Sequence, residues 1–234
     1  MNKVFSKNYE LRYSDMDANC NVKKSTVIDL LQDVSIEHSN SVGLDRFKYE
    51  TLGIACLLAG WHIKYISSLV PFQSVTVKTG IMKISKCETY RKYEIWQNSE
   101  CKVIATALWF TVNTQTMKIC RNTEEIFSVF ECITEEDNNL SCDKLRPREN
   151  AEFMGSTTVE KRDLDSNNHM NNVKSVEVAL NRIPEDYDFS EIQVKYRKEL
   201  KVGETISVHG KKTEKGFYLE IRNADNDICV IINI

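Results

Sequence analysis

The sequence shows no excess of positive charge; its formal net charge is −3. Binding a phosphate backbone needs the opposite balance on at least one face, so nucleic acid is not expected as a partner. Long hydrophobic runs are missing as well. The longest uncharged apolar stretch, around Ile54 to Trp61, falls well short of the roughly 20 residues that cross a bilayer. The opening MNKVFSKNYELRYS has no apolar core of signal-peptide length. The expectation is a cytoplasmic protein with no membrane partner. No CxxC pair occurs among the cysteines at 20, 56, 87, 101, 120, 132, 142 and 229. A zinc cluster or dithiol redox motif therefore has no support, and the cysteines read as reduced thiols, buried or partly buried. Neither a metal nor a cofactor is called for.

What remains is an ordinary globular composition, 41% hydrophobic and 28% charged over 234 residues, enough for one large domain or two small ones. An internal repeat favours two. Asp15, Asp17, Asn19 and Asn21 in SDMDANCNVKK have the spacing of Asp163, Asp165, Asn167 and His169 in RDLDSNNHMNN. A helical pattern follows each phrase. The first runs from about Lys24 to Val42, with Val27, Leu30, Leu31, Val34 and His38 on one face. Thr26 with Asp29 resembles a capping box, and Gly43 is a fitting stop. The second runs from about Asn172 to Arg182, with Val173, Val176 and Leu180 as its stripe and Pro184 beyond its end. Strand patterns come next in both halves: 54–67, 74–85, 89–98 and 103–113, then 191–199, 205–212, 217–222 and 228–232. The polar stretch 134–150 reads as a linker, giving domains 1–133 and 151–234. One helix per half belongs against one face of an antiparallel sheet, an α+β unit present twice.

The sequence resembles the acyl-acyl carrier protein thioesterases. The resemblance covers nearly the whole chain and is sharpest in DLDSNNHMNNVK (Asp163 to Lys174) and VKYRKE (Val194 to Glu199). Met170 stands where the family has valine, and Ser175 where an aromatic is usual. The resemblance implies a tandem hotdog fold, two curved antiparallel sheets each wrapped around a helix. It implies hydrolysis of fatty acyl-acyl carrier protein to free fatty acid and carrier thiol, ending fatty acid synthesis. Carried over residue by residue, it makes Asp165 and Glu199 the catalytic carboxylates, with Asn167 and His169 as orienting or polarising partners. Leu200 stands where the family often has cysteine, and leucine cannot attack a carbonyl.

The spacing, taken with the roles that the resemblance implies, suggests how this would work. Positions i, i+2 and i+4 share a face only in an extended segment, so Asp165, Asn167 and His169 are expected on a straight stretch lining one pocket. Asn171 and Asn172 fall at a helix start, where amide N–H groups could stabilise an oxyanion. Asp165 or Glu199 would activate water and His169 would position a carboxylate or the carbonyl; direct carboxylate attack is an alternative. Glu199, placed on a strand face with Lys195 and Arg197, would be kept ionised by them.

The first phrase has Asn21 in place of histidine, which cannot titrate near neutral pH. It reads as a relic rather than a second, weaker site, leaving the first half to hold the acyl chain through Val27, Leu30, Leu31 and Val34, though ordinary core packing is the simpler account of each. His38, His62 and His209 read as structural. Lys195, Arg197, Lys198, Lys201, Lys211, Lys212 and Lys215 crowd one stretch. Of these, Lys198, Lys201 and Lys211 are candidates to dock an acidic carrier protein, with solvated strand edges as the simpler account. An acyl-CoA thioesterase, an enoyl-thioester hydratase and a non-catalytic acyl-binding module are the competing functions; a homodimer is compatible with all of them.

Overall fold

The computed structural model describes residues 3–133, 140–142, 145–184, 187–214 and 216–234. The expected linker at 134–150 lies partly outside these residues, as does Lys215. The chain divides into two compact units: Met1–Ala59 with Ile63–Cys142, and Gly60–His62 with Asp143–Ile234.

The first unit contains β1 (Val4–Glu10), α1 (Lys24–Ser41), α2 (Arg46–Thr51), β2 (Ile54–Tyr65), β3 (Ser74–Ile84), β4 (Glu88–Gln97), β5 (Glu100–Asn113) and α3 (Glu124–Val129). Its strands run in the order β1-β3-β4-β5-β2. The second contains β6 (Glu152–Thr158), α4 (Asn172–Leu180), β7 (Glu191–Tyr196), β8 (Thr205–Thr213), β9 (Gly216–Arg222) and β10 (Ile228–Asn233). Its order is β6-β8-β9-β10-β7, the same succession of first, third, fourth, fifth and second strand. Pairing is antiparallel from β1 through β5 and from β6 through β7. The helix after the first strand packs on the sheet, α1 against β3 and β1, α4 against β9. Each unit has the hotdog arrangement, and the chain carries it twice.

The strands follow their side chains. In β3, Val75, Val77, Thr79 and Ile81 are buried at every second position; in β8, Ile206, Val208 and Gly210 repeat this. Helix α1 is long because its inner face is continuous: Val27, Ile28, Leu31 and Val34 are at most 3% exposed. Burying each such side chain contributes about 1.5–3 kcal/mol. The expected capping box does not form. Lys23 is the N-cap without a side-chain bond, and Thr26, already inside the helix, donates its hydroxyl to Asp15 O. The expected stop does form: Gly43 follows the helix at φ +81°, a conformation that suits glycine.

The first unit departs from one helix per half. Asp45 caps α2, accepting from Lys48 N at 2.8 Å, and α2 and α3 close over a small core of Leu44, Ile54 and Ile126 with Tyr49, Leu52 and Phe130. All eight thiols are free, and Cys20 and Cys132 are exposed rather than buried. Among the described residues, no helix is long and apolar enough to cross a membrane and no His, Cys, Asp or Glu cluster is placed to hold a metal.

Candidate active site

The motif is not the extended stretch its spacing suggests. Leu164 and Met170 form an antiparallel bridge. Between them the chain turns tightly: Asp165 N donates to His169 O at 2.9 Å, Asn168 N to Asp165 O at 3.1 Å, and Asn168 sits at φ +66°. Asn tolerates that left-handed conformation better than most residues. Asp165 and His169 therefore face each other across a hairpin. Asp165 Oδ1 accepts from Asn167 N at 2.8 Å, and the Asn167 side chain is exposed. The alternation of polar residues is that of a side-chain-braced turn, for which the spaced Asp and Asn were the available signal.

Glu199 is also placed differently. Strand β7 ends at Tyr196, so Glu199 lies in the following loop and not on a strand face with Lys195 and Arg197. That loop is tied to the hairpin: Met170 N donates to Leu200 O at 2.8 Å, and Leu200 is 3% exposed. The result brings together two of the four residues that the resemblance singled out. His169 Nε2 lies 3.1 Å from Glu199 Oε2, with side chains 28% and 39% exposed. The pair is held firmly yet open to water.

The helix start contributes less than expected. Asn171 is the N-cap, its Oδ1 accepting from Val173 N at 2.8 Å, and its own N–H goes to Asp163 O at 2.8 Å. Both amides are thus engaged in structure rather than aimed at an oxyanion. Asn172 opens α4, and its carbonyl accepts from Ser175 Oγ at 2.7 Å and Tyr196 OH at 3.3 Å. Sequence reasoning missed this tyrosine brace between β7 and the helix start.

The first unit reproduces the loop without the pair. Met16 bridges Val22; Asp17 N donates to Asn21 O at 2.8 Å and Cys20 N to Asp17 O at 3.1 Å; Asp17 Oδ1 accepts from Asn19 N at 2.9 Å; Cys20 takes φ +61°. Tyr65 OH donates to Lys24 O at 3.4 Å, as Tyr196 OH does to Asn172 O. Counting on from these tyrosines, Ser68 occupies the place of Glu199 and the buried Leu69 that of Leu200. Asn21 and Ser68 replace the imidazole and the carboxylate.

His62, set aside as structural, has a carboxylate partner too: Nε2 lies 2.6 Å from Glu191 Oε1, but its side chain is only 9% exposed. Val27, Leu30, Leu31 and Val34 are all buried in the first unit's core. A surface hollow of about 400 Å³ in the first unit, lined by Ser74, Thr76, Lys78 and Trp96, holds no histidine or carboxylate. Of the docking candidates, Lys198 pairs with Asp227 at 2.5 Å, Lys211 Nζ donates to Glu149 O at 2.8 Å, and Lys201 is exposed.

The acyl-ACP thioesterase N-terminal domain matches residues 2–130 and the C-terminal domain residues 147–234. The chain belongs to the acyl-ACP thioesterase family. Among family relatives, oleoyl-acyl carrier protein thioesterase 2 of Arabidopsis thaliana is 25% identical over 218 residues, 83% of this chain and 59% of that protein. Dodecanoyl-[acyl-carrier-protein] hydrolase of Cinnamomum camphora is 22% identical over 240 residues, 93% of this chain and 63% of that protein. The chain spans about three-fifths of the length of such curated relatives. In fold it is similar to the 12:0-ACP thioesterase from Umbellularia californica (TM-score 0.85, 17% identity, 99% and 96% of the two chains). It is likewise similar to an acyl-ACP thioesterase from Bacteroides thetaiotaomicron (TM-score 0.82, 15% identity, 98% and 96%). The fold is the family's tandem hotdog.

Proposed function

We propose that this chain hydrolyses fatty acyl-acyl carrier protein thioesters, releasing the fatty acid and the carrier thiol, with the second unit as the catalytic one. The observation that carries the reading is the His169–Glu199 contact of 3.1 Å, open to water. With the proton on Nε2, the nitrogen that faces Glu199, Nδ1 is the unprotonated nitrogen. Nδ1 takes a proton from water as the water oxygen attacks the thioester carbonyl. Glu199 stabilises the imidazolium. The carbonyl–sulfur bond breaks, and the imidazolium returns its proton to the departing thiolate. Asp165 holds the turn, its Oδ1 accepting from Asn167 N at 2.8 Å.

Family membership supports the reaction class. The carrier as substrate, with Lys198, Lys201 and Lys211 contributing to docking, belongs to the same reading, as does a cytoplasmic location. The experiment is thiol release from acyl-carrier proteins of C8 to C18 chains, run beside the matching CoA thioesters. The expected result is preference for the carrier, and a loss of about 10²–10⁴ in kcat for Glu199→Gln, which leaves the His169 imidazolium without its counter-charge. Turnover of Glu199→Gln within threefold of wild type would overturn the assignment.

A further inference from the structure

The first unit holds one loop in a strained shape. Phe72, between β2 and β3, sits at φ +57° and is 55% exposed. A positive φ is rare for a bulky side chain, and costly. Gln73 and Glu204 are matching residues, each accepting the amide that follows the first strand of its unit. The residue that matches Phe72 is therefore Gly203, at φ +83°, the amino acid such a backbone favours. Exposed to water, the Phe72 ring gains little packing in return. The loop is nonetheless clamped. Gln97, 2% exposed, accepts from Val70 N at 2.6 Å and donates to Val70 O at 2.9 Å.

Phe72 has company. Ile66 and Val70 on the same loop are exposed, and so is Tyr13, just ahead of the first unit's hairpin. The two segments adjoin: Leu11 N donates to Gln73 O at 3.4 Å, and Tyr65 OH to Lys24 O at 3.4 Å. In place of Tyr13, Ile66, Val70 and Phe72 the second unit has Lys161, Arg197, Lys201 and Gly203, so the fold requires none of the four. Cations stand among them. Arg12 precedes Tyr13, Lys23 Nζ donates to Ser14 O at 2.9 Å, and Lys24 Nζ lies 4.1 Å from the centre of the Tyr65 ring. The nearby acids are engaged within the hairpin. Asp15 accepts from the main chain and the guanidinium of Arg12 at 2.7 and 3.2 Å, and Asp17 Oδ1 accepts from Asn21 N at 2.8 Å.

We propose that this surface of the first unit rests on an anionic lipid bilayer. Phe72, Ile66, Val70 and Tyr13 enter the headgroup layer, and Lys23 and Lys24 meet lipid phosphates. Side chains projecting from turns suit a fluid interface, which moulds to them, and aromatic residues flanked by cations are favoured at headgroup depth. The cations select an anionic surface and would set like charge against like in a contact between two copies of this face. Among the described residues no helix is long and apolar enough to cross a bilayer. That bears on spanning, whereas surface attachment asks only for exposed apolar side chains and charge. The inference is separate from the hydrolytic reading, because its test contains no turnover.

The test is co-sedimentation with vesicles of phosphatidylglycerol and phosphatidylcholine, with pure phosphatidylcholine vesicles as the control. Wild type should bind the anionic vesicles at least tenfold more tightly than the neutral ones, and more weakly as salt rises past about 0.1 M. Phe72→Gly should lose at least threefold while its thermal midpoint holds or rises, since glycine relieves the backbone; a residue kept for packing would lower it. Ile66→Ser with Phe72→Gly should lose at least tenfold, and Lys23→Gln with Lys24→Gln at least threefold. Phe153→Ser, which removes an exposed aromatic of the second unit, should stay within twofold of wild type. Wild-type binding no tighter to anionic than to neutral vesicles would overturn the proposal, as would Ile66→Ser with Phe72→Gly within twofold of wild type. Dimers of wild type that Phe72→Gly abolishes, with no vesicle binding, would assign the surface to a second copy instead.

Discussion

Two hairpins in one chain have the same backbone and different chemistry. In both, an Asp opens the turn, its carboxylate accepts an amide two residues on, a residue at positive φ follows, and a tyrosine braces the next helix start. One turn carries His169 facing Glu199; the other carries Asn21, with Ser68 in the carboxylate's place. The lesson is that the Asp–Asn part of the motif specifies shape and the last residue specifies chemistry. Asp17 does for a loop without a histidine–glutamate pair what Asp165 does for the loop that has one. The turn alone is therefore not evidence of a site.

The comparison can be broken at its strongest point by making the second loop resemble the first. His169→Asn with Glu199→Ser should abolish turnover by about 10²–10⁴ in kcat while thermal unfolding stays near wild type, because both side chains are partly exposed. The reciprocal change, Asn21→His with Ser68→Glu in the disabled background, should restore less than a hundredth of the activity. Thiol release above that level would mean the first loop is a dormant site.

Acid should separate the two units. Burial, with the charge of Arg91 on β4 second, holds His38 neutral with a pKa of about 4 against an ordinary value of 6.5; Arg91 Nη1 donates to His38 Nδ1 at 2.7 Å. The unfolded chain therefore takes up its proton first as pH falls, and the stability that neutral His38 provides is lost from about pH 6.5 down to about 4. Hydrogen exchange should show β4 losing protection in that window before β9, and His38→Gln should narrow the difference.

Smaller effects sit at the helix starts. Asn171 caps α4 with its side chain, whereas Lys23 offers α1 no such bond. Asn171→Ala should cost about 1 kcal/mol and Lys23→Asn should gain about 0.5 kcal/mol, both read by denaturant unfolding. Least of all, joint reversal of Lys198, Lys201 and Lys211 to Glu should raise KM for carrier-linked substrate a few-fold at low salt, and the effect should fade as salt screens it. Loss of the Lys198–Asp227 pair should barely register in stability.

Much of this was legible in the sequence. The repeat, both main helices and the strands after them follow from periodicity, because each element buries one face continuously. His169 and Glu199 came from the family motif. What could not be read was how the motif bends. Polar residues at every second position fit an extended strand as well as a turn in which Asp165 accepts the Asn167 amide, and only the Leu164–Met170 bridge decides between them. Glu199 reads as part of the strand because Gln193, Lys195 and Arg197 precede it at every second position, while the amides of Arg197 and Lys198 both go to the single carbonyl of Cys229. Helices α2 and α3 are too short to show a period. The Arg91–His38 contact had no signal, since an arginine among tyrosines in a strand reads as an outward-facing residue.

One bond has a consequence for position 200. Met170 N reaches Leu200 through its carbonyl oxygen, an atom every amino acid supplies. The gap between imidazole and acid is thus gauged by main chain, and the side chain at position 200 points into the interior as packing. The leucine side chain is therefore free to serve as filling while the main chain keeps His169 and Glu199 in register.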